Sequence, residues 1–374
     1  MSDFTAFSDA LPPARELLAD LVALPGPPGQ EQAVRDYVCA RTEALGLAAR
    51  VDAKGNLVVA LRGEKAGATP PIVVTAHLDE IALLVARIDE DGTLDVAPLG
   101  GAHPWKWGEG PVEVLGRAGV FVPGVLSFGS VHTASPASVA QQARNGAALT
   151  WDDAKVVTAR PAESLARAGV RPGSRIILAR ERRRLWDLGA GESPPFVASY
   201  FLDDRADLVA WLLALAAVKD DPVLADANLV FAATASEEVG GQGALYLLHE
   251  TRPEICVALE IGPRTPDAPF PLDSQPTIWV TDGYATMDPR DGDLLDDAAR
   301  DAGLSAHWQA VTRGGSDASC AAARGLCARP VTLAFAAENS HGFEIMHRDA
   351  PENLARLLIA YLKRLFTEGA PGGG

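Results

Sequence analysis

Runs of apolar residues in this chain stop at histidines and acids: His77, Asp203, the pair Glu237-Glu238, Glu260 and His341 each fall at or just beyond such a run. In an open α/β sheet the strand ends form the binding edge, so groups far apart in the sequence meet there. Histidine and carboxylate are the donors that divalent ions such as zinc take, and the pattern reads as a metal site.

Each position also has a plain structural use. In Ala76-His77-Leu78-Asp79-Glu80 the two-residue spacing puts His77 and Asp79 on one face of an extended chain, so that the Asp79 carboxylate orients the imidazole; a solvated strand end would look the same. Asp203 and Asp204 open a helix, where acids cap and suit the dipole, yet two adjacent aspartates beside other acids repel unless a cation neutralises them. Glu237-Glu238 reads either as a solvated turn or as one metal ligand beside one proton acceptor. Glu260 closes the run Cys256-Val257-Ala258-Leu259 and needs water or a partner, and His341 follows a strand. One bimetallic site accounts for all of them together. Two divalent ions bring four positive charges, which three carboxylates and a bridging hydroxide balance, leaving Glu237 free as general base.

The elements that would position these groups follow an α/β pattern. Helices are expected over about 13–23 and from Glu31, and strands over about 56–61 and 71–76, from apolar periodicity and valine content. The alternation breaks between Ile88 and Pro195, where Asp91-Gly92 marks a hairpin and short strands sit between glycine turns, which predicts an inserted β-rich domain resembling a small barrel. It resumes with a helix over about 205–219, strands near 229–234, 255–259, 277–280 and 331–336, and a final helix over about 351–366. The expected organisation is a three-layer α/β/α domain made of residues 1–87 and 196–374, with residues 88–195 inserted, and a frayed glycine-rich tail after Glu368.

Composition narrows the function. The 374 residues are 48% hydrophobic and 22% charged, as in ordinary globular proteins, with a formal charge of −16. That charge argues against nucleic-acid or anionic-membrane partners, which need a basic footprint. Cys39, Cys256, Cys320 and Cys327 form no CxxC pair, which points to a reducing, cytoplasmic setting. Met1 to Pro13 does not read as a signal peptide, and no apolar stretch is long enough to predict a membrane span. His103, His132, His249, His307 and His347 have no comparable placement and read as structural or exposed.

The chain resembles the glutamyl-aminopeptidase and tetrahedral-aminopeptidase family of di-zinc metallopeptidases. The resemblance rests on Leu24 to Glu31, Ala76 to Ile81, Leu202 to Arg205, Glu237 to Gly240, Gly314 to Ala318 and Ser340-His341, on their order, and on the place of the β-rich insert. It implies that His77, Asp203 and Glu260 bind one ion and Asp203, Glu238 and His341 another. It also implies that Glu237 is the general base and acid, that Asp79 supports His77, and that the Asp203–Asp204 peptide bond is cis. Zinc is the implied metal, with cobalt as an alternative, and short peptides are the implied substrates. The implied assembly is a homo-oligomer built through the insert, in this family commonly a tetrahedral shell of twelve chains. The sequence departs from the family at Glu260, where aspartate is more usual, and at Gly342-Phe343. A deacylase or carboxypeptidase on the same scaffold, with Arg205 or Arg313 gripping a substrate carboxylate, would use the same ligands; a silent assembly protein is the reading from another class.

Overall fold

The computed structural model describes residues 10–63, 70–193 and 195–367. The tail after Glu368 and the N-terminal stretch through Asp9 lie outside the described residues. By contacts the chain forms two compact units: Met1–Asp79, Leu185–Ser340 and Glu344–Gly374 in the first, and Glu80–Arg184 with His341–Phe343 in the second.

The first unit is built on an 11-stranded sheet. At its centre Asn228–Thr234, Ile72–His77, Ile255–Pro263 and Arg329–Glu338 run parallel in that order. Their sequences are near-continuous apolar runs, as strands covered on both faces require: every residue of Ile72–His77 is buried. Successive side chains of a strand point to opposite faces. Val74 accordingly joins a large core with the helices Ala14–Ala23, Leu202–Val218, Pro289–Asp301 and Ala350–Thr367, while Val73 joins a smaller core under Gln242–Thr251 and Asp317–Ala322. Beyond Asp207, Leu202–Val218 is apolar on every side, and the helix is almost wholly buried, the mark of one enclosed by other elements. This is the three-layer α/β/α arrangement expected from the sequence.

The second unit is a closed six-stranded barrel in the order Ala82–Ile88, Leu94–Leu99, Lys155–Val157, Phe121–Ser127, Gly110–Leu115 and Arg175–Leu178. Its strands alternate instead of running apolar throughout: Phe121–Ser127 reads exposed, buried, exposed along its length, the period of a strand with one face inside a filled barrel. Val112, Val114, Val122, Leu126, Val156 and Ile176 fill the interior at 1% exposure or less. Trp107 and Trp151 meet edge to face at 6.1 Å, and the Trp151 indole donates to the Ala102 carbonyl at 2.8 Å.

The compact unit is thus shifted from the 88–195 read from the sequence. Ala82–Ile88 pairs with barrel strands, and Trp186–Leu188 pairs with Phe196–Tyr200 in the large sheet. Apolar composition alone does not say which sheet a strand joins.

Candidate metal centre

His77 is the last residue of the strand Ile72–His77; of its parallel neighbours, Asn228–Thr234 leads into Glu237-Glu238 and Ile255–Pro263 carries Glu260. Its ring Nε2 lies 3.0 Å from Asp203 Oδ1, and its Nδ1 lies 3.1 Å from the Asp79 carbonyl oxygen. The His77 backbone N–H donates to the Asp204 carboxylate. Burial alone would push the imidazole down, but the Asp204 charge and contacts with Asp203 and Asp79 carry it well above its usual value. One donor atom each from His77, Asp203, Asp204 and Glu260 lies within 4.8 Å of the others, and all four residues are buried.

Asp203 and Asp204 sit at the start of Leu202–Val218 with non-helical dihedrals and are joined by a cis peptide bond. The Asp203 N–H donates to Glu344 Oε2 at 3.0 Å. Glu260 does not close a strand. Ile255–Pro263 continues past it because Ile261, Gly262 and Pro263 keep their parallel partners in Arg329–Glu338. Glu260 is 5% exposed and its carboxyl is held well above the usual range, first by burial and then by the charges of Glu237 and Asp203.

Glu237 and Glu238 follow the strand Asn228–Thr234 on a tight turn. Glu237 is also raised well above the usual range, by burial first. A donor atom of Glu238 lies within 4.8 Å of one of Asp203. Asp79 does more than face His77. Its carboxylate accepts from the Glu237 N–H at 2.8 Å and the Glu238 N–H at 3.1 Å, whereas its nearest carboxylate oxygen stands 3.5 Å from the His77 ring. His341 groups with the second unit, where its Nδ1 lies 3.0 Å from the Gly101 carbonyl oxygen; its φ is +59°.

A family model for M42 glutamyl aminopeptidases matches residues 55–357, a span that carries every one of these groups. The chain belongs to the M42 glutamyl aminopeptidase family. This M42 chain is 29% identical to glutamyl aminopeptidase of Lactococcus lactis over 78% of its own length and 79% of that protein's. It is 27% identical to lysyl aminopeptidase of Pyrococcus furiosus over 66% of each chain. Among solved structures it resembles the Pyrococcus horikoshii TET1 peptidase, which can assemble into a tetrahedron or a large octahedral shell, with a TM-score of 0.77, 25% identity, and coverage of 93% of this chain and 98% of that one.

Three further buried acids, Asp204, Asp207 and Asp317, have neither a ligand nor a catalytic role assigned from the sequence. Asp204 is fully buried and raised, by burial first and then by the Asp207 charge. Asp207 is raised to about 8, chiefly by burial, and its carboxyl lies against that of Asp204. Asp317 accepts from the Thr234 hydroxyl at 2.6 Å and is raised to about 6, again by burial first. The available signal was an aspartate one turn into a helix that is otherwise apolar all round, since buried acids are rare without a partner.

The donor set fits divalent ions. Asp204, Asp207, Glu237, Glu260 and Asp317 make no ion pair with lysine or arginine among the described residues. Arg205, the nearest guanidinium in sequence, donates to the carbonyls of Leu78 and Asp79. A cluster of buried acids without a fixed cation takes up protons or a metal.

Proposed function

We propose that this M42 chain is a metal-dependent aminopeptidase that removes N-terminal residues from short peptides, using two divalent ions. The observation that carries the reading is the buried cluster of His77, Asp203, Asp204 and Glu260, whose donor atoms lie within 4.8 Å of one another. Family membership and the names of its relatives support the aminopeptidase class. His77, Asp203 and Glu260 would hold one ion, and Asp203, Glu238 and His341 the other, with zinc the expected metal and cobalt the alternative. Bound there, the ions would supply Lewis acidity toward the scissile carbonyl and toward the attacking water.

The chain's own residues would do the rest. Glu237, raised in pKa by burial and neighbouring acids, takes a proton from the attacking water and hands it to the leaving amine. Asp79 fixes the turn that carries it, through the N–H groups of Glu237 and Glu238. The Asp79 carbonyl and the Asp204 carboxylate hold the ring and backbone of His77. Substrates with a free, cationic N-terminus suit a site this rich in carboxylates.

We assign the chain to a homo-oligomer, in line with the assemblies formed by the Pyrococcus horikoshii relative, and a tetrahedral dodecamer is the form we expect. No described helix is long and apolar enough to cross a membrane. Four free cysteines suit a reducing, cytoplasmic compartment.

The test is hydrolysis of aminoacyl, N-acetylated aminoacyl and C-terminally blocked peptides with zinc, cobalt or chelator. Metal-dependent cleavage confined to free N-termini is expected. Cleavage of N-blocked substrates would replace the reading by a deacylase or carboxypeptidase.

A further inference from the structure

The strand Asn228–Thr234 ends just before the acid pair, so the next backbone N–H groups lose their sheet partners and need acceptors. Four in a row find them on side chains remote in sequence. Ala235 N–H donates to Asn56 Oδ1 at 2.9 Å, and Ser236 N–H to Glu31 Oε1 at 3.1 Å. Glu237 and Glu238 N–H donate to the two oxygens of Asp79.

Glu31 and Asn56 are committed to this turn. Glu31 is 4% exposed, and its Oε1 also accepts from the Ser236 hydroxyl at 3.1 Å and from Gly29 N–H at 2.6 Å. Asn56 is fully buried and donates to the Gly243 carbonyl at 2.9 Å and to Asp52 Oδ2 at 2.7 Å. It therefore grips both ends of the segment 235–243. A Cβ on Gly243 would stand 2.3 Å from Asn56 Oδ1 and from the Ala235 carbonyl oxygen, so the grip requires glycine there. Between these anchors Ser236 is held at φ +59°, a left-handed conformation rare for a residue with a side chain.

We propose that Glu31 and Asn56 are positioning residues for the acid–base step: together with Asp79 they clamp four consecutive amides so that Glu237 is presented in one geometry. The inference rests on Glu237 being the base. Acid–base catalysis depends on placement to within about an ångström, and loss of placement from a residue outside the chemistry can cost about a hundredfold. The opening segment Leu24 to Glu31, with no acid–base or metal-binding chemistry of its own, becomes part of the catalytic scaffold on this account.

The test uses full-length, zinc-loaded enzyme with glutamyl- and lysyl-p-nitroanilide. Glu31→Ala and Asn56→Ala should each lower kcat about 10- to 100-fold with KM within about twofold and with metal content unchanged. In the metal-free proteins the amides of residues 235–238 should exchange with solvent faster than in wild type. Glu31→Gln keeps an acceptor at Oε1 and should return kcat to within about threefold of wild type, as the loss of charge on one hydrogen bond allows. Should Glu31→Ala fail to fold, Ser236→Ala removes one of its three donors while keeping the backbone N–H, and a kcat loss of about threefold at constant KM is expected.

Wild-type kcat in these alanine variants, or a loss seen only in KM or metal content, overturns the positioning role. If Glu237→Gln is impaired in the same series, the base assignment survives that result. A zinc-loaded Glu237→Gln enzyme with wild-type kcat removes the base and this inference together.

Discussion

Glu80 and Glu260 are both glutamates with almost no solvent exposure, one in the barrel unit and one in the sheet unit, and their surroundings are opposite. Glu80 faces Arg183, whose two terminal nitrogens lie 2.5 and 2.7 Å from its two oxygens. Glu260 lies among Asp203, Asp204 and His77, and burial followed by the charges of Glu237 and Asp203 raises its carboxyl more than His77 lowers it. The chain therefore has the means to bury a carboxylate with a fixed counter-ion and does so in the barrel. At the sheet edge it gathers acids around one histidine. A buried pair such as Glu80–Arg183 carries its own counter-ion, whereas the sheet-edge cluster, on the proposed function, would take its cation from outside.

The largest effect should come from the acid whose charge is not needed for holding metal. Glu237→Gln is expected to keep its metal and lose about 10²–10⁴ in kcat, measured against metal content determined on the same sample. Next in size, Arg183→Met removes the guanidinium that faces buried Glu80 and should destabilise the protein by about 3–5 kcal/mol, while Arg183→Met with Glu80→Leu should recover most of that loss. Denaturant unfolding of the two variants separates a paired charge from a merely buried one; equal losses would show that Glu80 gains nothing from Arg183.

The sheet edge should respond in the opposite sense. Asp207→Asn removes a buried acid without a fixed counter-ion, so the metal-free protein should melt higher than wild type, where the barrel substitution makes it melt lower. The pH dependence follows from the same groups. Asp207 and Asp317 keep protons in the folded, metal-free chain up to about 8 and about 6, long after an unfolded aspartate has lost them at about 4. Between those values the native state binds more protons than the unfolded state, so stability falls as pH rises. Melting temperatures of metal-free protein should decline across roughly pH 4–8, and zinc should flatten the decline because the carboxylates then hold a cation in place of protons. The smallest effect belongs to the outer barrel face: Val125→Thr, at a position 50% exposed, should change stability by less than about 0.5 kcal/mol.

The sequence made the sheet legible because parallel strands covered on both faces are unbroken apolar runs, and Ile72–His77 and Asn228–Thr234 stand out as such. Ile255–Pro263 was read four residues short because Glu260 looks like a strand terminator, and only its register with Arg329–Glu338 shows otherwise. The helix Pro289–Asp301 has a local start signal in Asp288-Pro289, with Asp288 accepting from the Arg290 N–H and proline in the first turn, although it is not among the helices expected from the sequence. Other features had no local signal. Glu31 and Ser236 lie 205 residues apart, and nothing in either neighbourhood announces their bond. Asp79 is expected to orient His77 with its carboxylate, which stands 3.5 Å from the ring; the structure adds its carbonyl at 3.1 Å and a further use of the carboxylate, which accepts from the Glu237-Glu238 turn.

The most direct test of the sheet-edge cluster as a metal centre is a metal count on purified wild-type and Asp203→Asn protein, with hydrolysis of a free-N-terminus peptide measured on the same samples before and after chelation. Two divalent ions per wild-type chain, activity lost with chelator and restored by zinc, and loss of both ions in Asp203→Asn are the expected results. Activity that survives complete removal of metal, or an Asp203→Asn chain that keeps both ions, would contradict it.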